Sequence, residues 1–123
     1  MTSEELENIV SRHEMQRLEL KESFGAECIE TACAFTNSQG GFILIGVDND
    51  GNPSKHQLRF EGLRDYENKI STATEPSVAV DAEKVEFRGR EVVVLKVSEN
   101  PLKPVVSAAK QDNRASVLRH GHH

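Results

Sequence analysis

The chain is poor in aromatic residues and in cysteine. Its 123 residues include no tryptophan, one tyrosine, five phenylalanines and two cysteines. Single-stranded nucleic acids are commonly held by stacking on aromatic rings, so this composition argues against a stacking platform, the more so because Phe35, Phe42 and Phe87 are predicted to be buried. The cysteines, Cys28 and Cys33, fall on different sides of one predicted helix, so we expect neither a disulfide nor a metal or redox site of the Cys-x-x-Cys type.

Long apolar segments are also missing, and the first residues do not have the pattern expected of a signal peptide. The longest apolar run, Phe42–Val47, falls far short of the roughly 18 residues that a membrane span requires. The N-terminus has neither the basic region nor the apolar stretch of a signal peptide. We therefore expect a soluble, cytoplasmic protein with a single domain over residues 1–121, and residues 122–123 as a tail or the remnant of a tag.

Charge is unevenly distributed along the chain. The formal net charge is −5, which argues against a wholly basic surface for nucleic acid. Residues 1–30 hold eight acidic and three basic residues, whereas residues 101–123 hold one acidic and four basic residues. If the protein binds a polyanion, we expect the C-terminal third to make the contact and the N-terminal acids to hold a metal.

The rest of the chain is organised around the apolar run Phe42–Val47. This run contains β-branched residues and lies between the Gly40–Gly41 turn and the turn signal Asn49–Gly51, a pattern that predicts a central strand covered on both faces. The two glycines follow a helix rather than precede one, and no Gly-Lys-Ser/Thr comes after them. A nucleotide-binding P-loop is therefore disfavoured.

Hydrophobic periodicity predicts the remaining elements. Helices are expected at residues 3–13, 23–37 and 63–70, with Ser3 as the first N-cap. Strands are expected at residues 17–21, 78–80, 84–88 and 91–97, with a hairpin turn at Arg88–Arg90, and in the tail at residues 105–106 and 115–119. Long crossovers together with one hairpin indicate an α+β fold, a mixed β-sheet with two to three packed helices.

Several motifs together identify a known family. They are Glu14-x4-Glu19-Leu-Lys21, the segment Ala34-Phe-Thr-Asn-Ser-Gln-Gly-Gly-Phe-Ile-Leu-Ile-Gly-Val-Asp48, the pair Pro101 and Pro104, and Arg119-His-Gly121. This combination spans nearly the whole chain and resembles the Schlafen AlbA-like domain, a family associated with DNA binding.

The resemblance implies two functions. Some family members are metal-dependent endoribonucleases that act on structured RNA such as tRNA, whereas many bacterial members are ascribed only a nucleic-acid-binding role. Matched by position, Glu14 and Glu19 correspond to the two glutamates of the nucleases and Lys21 to their lysine. Asp48 is the candidate aspartate, so Glu14, Glu19 and Asp48 are the expected ligands of Mg²⁺ or Mn²⁺. The chain has Asn49 where the nucleases have a second aspartate, a departure that places binding ahead of cleavage.

The geometry of such a metal site requires a bend in the chain. Glu14 and Glu19 would diverge on a continuous strand or helix, so they converge on a cation only if the chain turns at the predicted helix-to-strand junction. Lys21 would then stabilise the charge of a phosphate. The alternative interpretation is an exposed strand face with a weak ion pair.

Binding without catalysis calls for cations that contact phosphates. The candidates are Arg59, Arg64, Lys103, Arg114 and Arg119, which would bind DNA or structured RNA by its shape. The first prediction is therefore a regulatory nucleic-acid-binding module, acting as a homodimer because symmetry extends a small binding surface. The alternatives are the endoribonuclease, and a protein-interaction domain that uses its acidic N-terminal face and has no affinity for nucleic acid.

Overall fold

A computed structural model describes residues 1–12, 17–54, 62–102 and 104–107 of the chain. These residues form three helices, namely α1 (Ser3–Ser11), α2 (Ala26–Thr36) and α3 (Leu63–Thr72). They also form six strands, namely β1 (Leu18–Lys21), β2 (Gly41–Ile45), β3 (Thr74–Glu75), β4 (Val80–Phe87), β5 (Arg90–Val97) and β6 (Val106–Ser107). None of these helices combines the length and the apolar character needed to cross a lipid bilayer.

Four of the strands form a mixed sheet in the order β1-β2-β5-β4, and β3 pairs with β6 in a separate two-stranded sheet. β1 and β2 are parallel, with Leu18 opposite Phe42 and Lys21 opposite Ile45. The β2–β5 and β5–β4 pairs are antiparallel. Parallel neighbours need a crossover, which α2 supplies. The predicted α+β fold with a mixed sheet is therefore confirmed.

The central strand β2 is buried on both faces, as predicted. Ile43 and Ile45 belong to a core formed with α2 and α3. Leu44 and, just past the strand, Val47 belong to a second core formed with α1. Successive strand residues point to opposite faces, so a strand between two layers of helices needs an uninterrupted apolar run. The regular strand ends before Val47 because Gly46 adopts a φ of +100°.

α1 covers one face of the sheet through Leu6 and Val10, which are both buried. Thr2 is its N-cap, and the Thr2 hydroxyl accepts a hydrogen bond from the Glu5 amide at 3.1 Å. The prediction of Ser3 as the N-cap is wrong by one residue. Thr2 and Ser3 both carry the side-chain hydroxyl that favours an N-cap, so the sequence alone does not distinguish them.

Two ion pairs tie α1 to the hairpin of β4 and β5. The Met1 amine pairs with Glu83 of β4. In the hairpin turn, Arg88 donates to the Glu7 carboxylate, with Nη2 2.9 Å from Oε1. α1 therefore starts level with Glu83 and runs along the sheet toward the hairpin turn.

α2 and α3 cover the opposite face of the sheet. α2 begins at Ala26, later than predicted. Its cysteines, Cys28 and Cys33, are buried and form no disulfide, as expected from their spacing. Tyr66 and Ile70 of α3 face inward, as predicted, and complete this core.

β4 and β5 form the predicted hairpin. The turn residues Arg88 and Gly89 both have positive φ, 51° and 82°, as a tight turn between twisted strands requires. β4 begins at Val80, so the two short strands predicted at 78–80 and 84–88 are largely one continuous strand.

The described tail ends in β6, which pairs with β3 so that Glu75 lies opposite Val106. The tail strand predicted at residues 105–106 is thus shifted by one residue. The strand predicted at residues 115–119 lies outside the described residues, as do residues 122–123.

The Gly40–Gly41 turn between α2 and β2 touches the backbone of the strands on both sides. Gly40 has a φ of +83°, and a Cβ atom there would lie 2.6 Å from the Val97 carbonyl oxygen of β5. A Cβ atom on Gly41 would lie 2.7 Å from the carbonyl oxygen of Arg17, just before β1. Any side chain would push these strands away from the turn, so this close packing requires glycine.

Replacing Gly40 with alanine should strongly destabilise the fold. The positive φ alone costs alanine about 1–2 kcal/mol, and the overlap with the Val97 carbonyl oxygen should add about 1–3 kcal/mol. Urea unfolding of Gly40→Ala measures the sum as a loss of unfolding free energy.

Gly89→Ala is the matched control, because Gly89 has a φ of +82° but a Cβ atom there would have no neighbouring atom within 4 Å. Gly89→Ala should lose only the part of the unfolding free energy that comes from the positive φ, because no overlap is added. Equal losses for the two variants would show that the close approach at Gly40 contributes nothing.

Candidate functional site

β1 is the outermost strand on one side of the described sheet, and it presents Glu19 and Lys21 on one face. Lys21 Nζ lies 3.7 Å from Glu19 Oε1 and forms a closer ion pair with Glu27 in the first turn of α2. The two β1 side chains share a face because they are two positions apart on a strand. The structure thus brings together two of the predicted site residues.

The ion pairs shift the titration of Lys21 and Glu27 in opposite directions. The hydrogen bond to Glu27, reinforced by the charges of Glu27 and Glu19, raises the pKa of Lys21 above its ordinary value. The same hydrogen bond lowers the pKa of Glu27. Because two carboxylates already contact the Lys21 ammonium, a phosphate would compete with them for it.

Asp48 follows β2 and holds the loop after it in a tight turn. Its Oδ1 accepts hydrogen bonds from the amides of Asp50 and Asn52, both at 3.0 Å. An aspartate that bonds backbone amides a few residues further on is a common turn former, and the sequence Asp48-Asn-Asp-Gly51 carried that signal. At least one oxygen of the Asp48 carboxylate therefore has a structural partner.

A cavity of about 530 Å³ opens beside Lys21 at this end of the sheet. Its walls include Glu22, Glu27 and the amino end of α2. Asn49, rather than Asp48, lines it. The position where the resemblance leads one to expect an acid therefore faces the Lys21 cavity, and in this chain it carries an amide.

The predicted metal ligands are only partly visible together. Glu14 lies outside the described residues. Glu19 is opposite Ile43 on β2, whereas Asp48 lies beyond the carboxyl end of that strand. Within the described ranges, no three acidic, histidine or cysteine side chains form a group that could hold a metal ion. The described residues do not assemble a Mg²⁺ or Mn²⁺ site by themselves, and the three-ligand site stays a prediction.

The predicted phosphate contacts lie mostly outside the part of the chain that the structure describes. This applies to Arg59, Lys103, Arg114 and Arg119. Arg64 is exposed in the first turn of α3. It is the one member of this predicted set whose position is known.

A groove of about 470 Å³ lies at the opposite end of the sheet, where β1 and β2 begin and β5 ends. We call it the Gly-Gly groove because the Gly40–Gly41 turn forms its floor. Arg17, Phe42, Lys96 and Glu99 also line it. Phe42, predicted to be buried, is only partly so, because it lies at the end of β2 rather than in its middle.

The two cations of the Gly-Gly groove differ from three others in the described chain, which are held by carboxylates. Lys21, Lys84 and Arg88 each form an ion pair. The side chains of Arg17 and Lys96 are exposed, and among the described residues neither has a carboxylate partner. Asp81 lies opposite Lys96 in the β4–β5 register, yet the two form no ion pair. The groove therefore offers two positive charges to a ligand.

Hydrogen bonds from Thr36 and Asn37, at the end of α2, fix the chain segment that follows β5 beside this groove. Asn37 Nδ2 donates to the Val105 carbonyl oxygen at 2.8 Å, and Asn37 Oδ1 accepts from the Val105 amide at 2.7 Å. The Thr36 hydroxyl donates to the Ser98 carbonyl oxygen at 2.8 Å. These contacts bind the segment after β5 to the end of α2.

Arg17 and Lys96 are absent from the residues predicted to form a site. The sequence contained only a weak signal for Lys96. It is a charged residue between two apolar ones, Leu95 and Val97, and successive strand residues point to opposite faces of the sheet, so its side chain was expected to face away from theirs. Nothing local connected it with Arg17, because the groove that both residues line is formed by the order of the strands.

The comparisons with known proteins agree with this fold. The family model described as Schlafen, AlbA_2 matches residues 14–123, a range that begins after α1. No curated protein sequence matches the chain.

Two solved structures show the same fold at low sequence identity. One is the N-terminal domain of an ATP-dependent DNA helicase RecG-related protein from Nitrosomonas europaea, with 20% identity, a TM-score of 0.61, and coverage of 85% of this chain and 78% of that one. The other is the DIP2311 protein from Corynebacterium diphtheriae, with 17% identity, a TM-score of 0.55, and coverage of 85% of this chain. This chain spans only 23% of that protein.

The Lys21–Glu27 pair should make stability depend on pH in the acid range. The lowered pKa of Glu27 means that the pair stabilises the fold above the ordinary carboxyl pKa of 4.5 and is lost as pH falls through the folded-state pKa. Glu27→Gln should therefore flatten the acid limb of a stability-versus-pH curve, and Lys21→Gln should flatten it similarly. An acid limb identical to that of the unmodified protein in both variants would contradict the pairing.

Proposed function

We propose, from the premise that this chain belongs to the Schlafen, AlbA_2 family, that it is a nucleic-acid-binding module. The observation that carries the proposal is the Gly-Gly groove, which Arg17 and Lys96 both line and where neither has a carboxylate partner among the described residues. Phosphate contacts by such cations supply most of the sequence-independent affinity for nucleic acid. The name of the RecG-related relative, which mentions a DNA helicase, agrees with a role of this kind.

The proposal locates binding at one end of the sheet rather than over the whole surface. A net charge of −5 repels a polyanion at long range, but charges more than about 8 Å away are largely screened at physiological salt. Local cations therefore decide the contact. At the other end of the sheet Lys21 and Arg88 are ion-paired, which leaves them less available.

Neutralising both groove cations should weaken binding and make it less sensitive to salt. The double variant Arg17→Gln/Lys96→Gln should bind DNA and RNA at least about tenfold less tightly at low salt. The slope of log affinity against log salt should fall by about 2, one for each lost phosphate contact. Fluorescence anisotropy with labelled oligonucleotides over a salt series measures both quantities.

Lys84→Gln/Arg90→Gln is the matched control, because it removes the same charge from β4 and β5 outside the groove lining. It should keep the salt slope close to that of the unmodified protein. If both double variants lose affinity equally, the groove is not the contact. If the unmodified protein binds no nucleic acid even at low salt, the nucleic-acid-binding proposal fails and the protein-interaction alternative gains.

A second function, metal-dependent cleavage of structured RNA, is proposed on a different observation. Glu19 and Lys21 lie together on one face of β1, and Lys21 borders a cavity large enough to admit a phosphate. With Glu14 and Asp48, Glu19 would supply oxygen ligands to Mg²⁺ or Mn²⁺. The amide of Asn49 in the cavity wall is the reason why this function ranks second.

Cleavage of tRNA with Mn²⁺ tests the second function. Activity should be present in the unmodified protein and should be lost in Glu19→Ala. Asp48→Asn should lose it too, although asparagine keeps an oxygen that can accept from the Asp50 and Asn52 amides. Glu30→Ala, at an exposed position on α2, serves as the control and should remain active. Cleavage that survives Glu19→Ala would rule out this site.

A further inference from the structure

Four residues, one from each strand of the sheet, form a row beside the Gly-Gly groove. Leu18 lies opposite Phe42, Phe42 lies opposite Lys96, and Lys96 lies opposite Asp81. Directly opposite residues on neighbouring strands point to the same face of a sheet. Leu18 and Phe42 pack against the core that α1 covers, so all four side chains share the α1 face.

The row lies beyond the beginning of α1. The Met1 amine pairs with Glu83, and Glu83 is opposite Val94 on β5. The helix therefore starts over Val94, and Lys96, the next β5 residue on the same face, lies beyond its amino end. From there the helix runs away from the row, toward the hairpin turn. Consistent with this arrangement, Phe42 is partly exposed and Lys96 is exposed, whereas Val94 under the helix is buried.

We propose that this row binds single-stranded nucleic acid, with a base stacked on the Phe42 ring and an adjoining phosphate on Lys96. The inference rests on the proposed nucleic-acid-binding function and specifies its substrate class. An aromatic ring accepts any base by stacking, but it cannot reach the faces of bases that are stacked inside a duplex. A ring beside a cation on a sheet surface therefore selects for unpaired strands.

The acidic residues near the row restrict the path of the strand. Asp81 closes the row on β4, and Glu99 lies on the groove wall. Phosphates would be repelled from both, so the backbone of the bound strand should pass over Phe42 and Lys96 and turn away from Asp81 and Glu99. The scarcity of aromatic residues in the sequence does not prevent this binding mode, because one accessible ring suffices for one base.

Anisotropy measurements on the full chain test the inference with four labelled ligands. They are single-stranded DNA and RNA about 12 nucleotides long, a length within the usual footprint of a single-strand-binding domain, the matching duplex, and an abasic strand with the same number of phosphates. The unmodified protein should bind each normal single strand roughly tenfold more tightly than the abasic strand. It should also prefer single strands to the duplex.

Variants at Phe42 assign this preference to the ring. Phe42→Leu, which keeps an apolar side chain, should bind normal and abasic strands equally. Phe42→Tyr, which keeps the ring, should retain the preference. Phe24→Leu removes a partly buried phenylalanine that packs against Tyr66 and does not line the groove, and it should behave like the unmodified protein.

Two results would overturn the stacking site while leaving the proposed function intact. One is equal affinity of the unmodified protein for normal and abasic strands, a measurement that needs no variant to fold. The other is a preference for single strands that persists in folded Phe42→Leu. Absence of affinity for every ligand would instead overturn the proposed function itself.

Discussion

The close backbone contact at Gly40 and Gly41 is the constraint on which the rest of the structure depends. At this turn α2 ends and β2 begins, and the strands on either side approach to distances that a Cβ atom would not permit. The contact sets β2 between β1 and β5, so that Ile43 and Leu44 face different cores. The same contact brings the positions before β1 and at the end of β5 to the two sides of one groove, which Arg17 and Lys96 both line.

Much of the fold could be predicted because its signals are local. An apolar run bounded by turns, a hairpin signal at Arg88–Gly89 and the periodicity of α3 each depend on neighbouring residues. The errors fall where two choices were nearly equivalent. Thr2 and Ser3 can both cap a helix, and a strand pattern interrupted by charged residues, as at Asp81–Lys84, reads as two short strands although the ladder to β5 is continuous.

The candidate site was harder to predict because it depends on strand order. Glu19 and Lys21 could be placed on one face from their spacing alone. The groove pairs residues from opposite ends of the chain, and no local pattern states that β5 lies next to β2. Asp48 shows a different difficulty, because an aspartate side chain can either bind a metal ion or stabilise a turn. Only its hydrogen bonds with the Asp50 and Asn52 amides show that it stabilises the turn here.

The two ends of the sheet differ in how their charges are used. At the carboxyl ends of β1 and β2, Lys21 and Arg88 hold α2 and α1 in place through ion pairs, so their charges serve the fold. At the other end, hydrogen bonds from Thr36 and Asn37 hold the chain in place. Neutral groups therefore do the structural work there, and Arg17 and Lys96 are left for a ligand. A chain with net negative charge can in this way present a positive groove, because the cations that would bind phosphate are not needed to stabilise the structure around it.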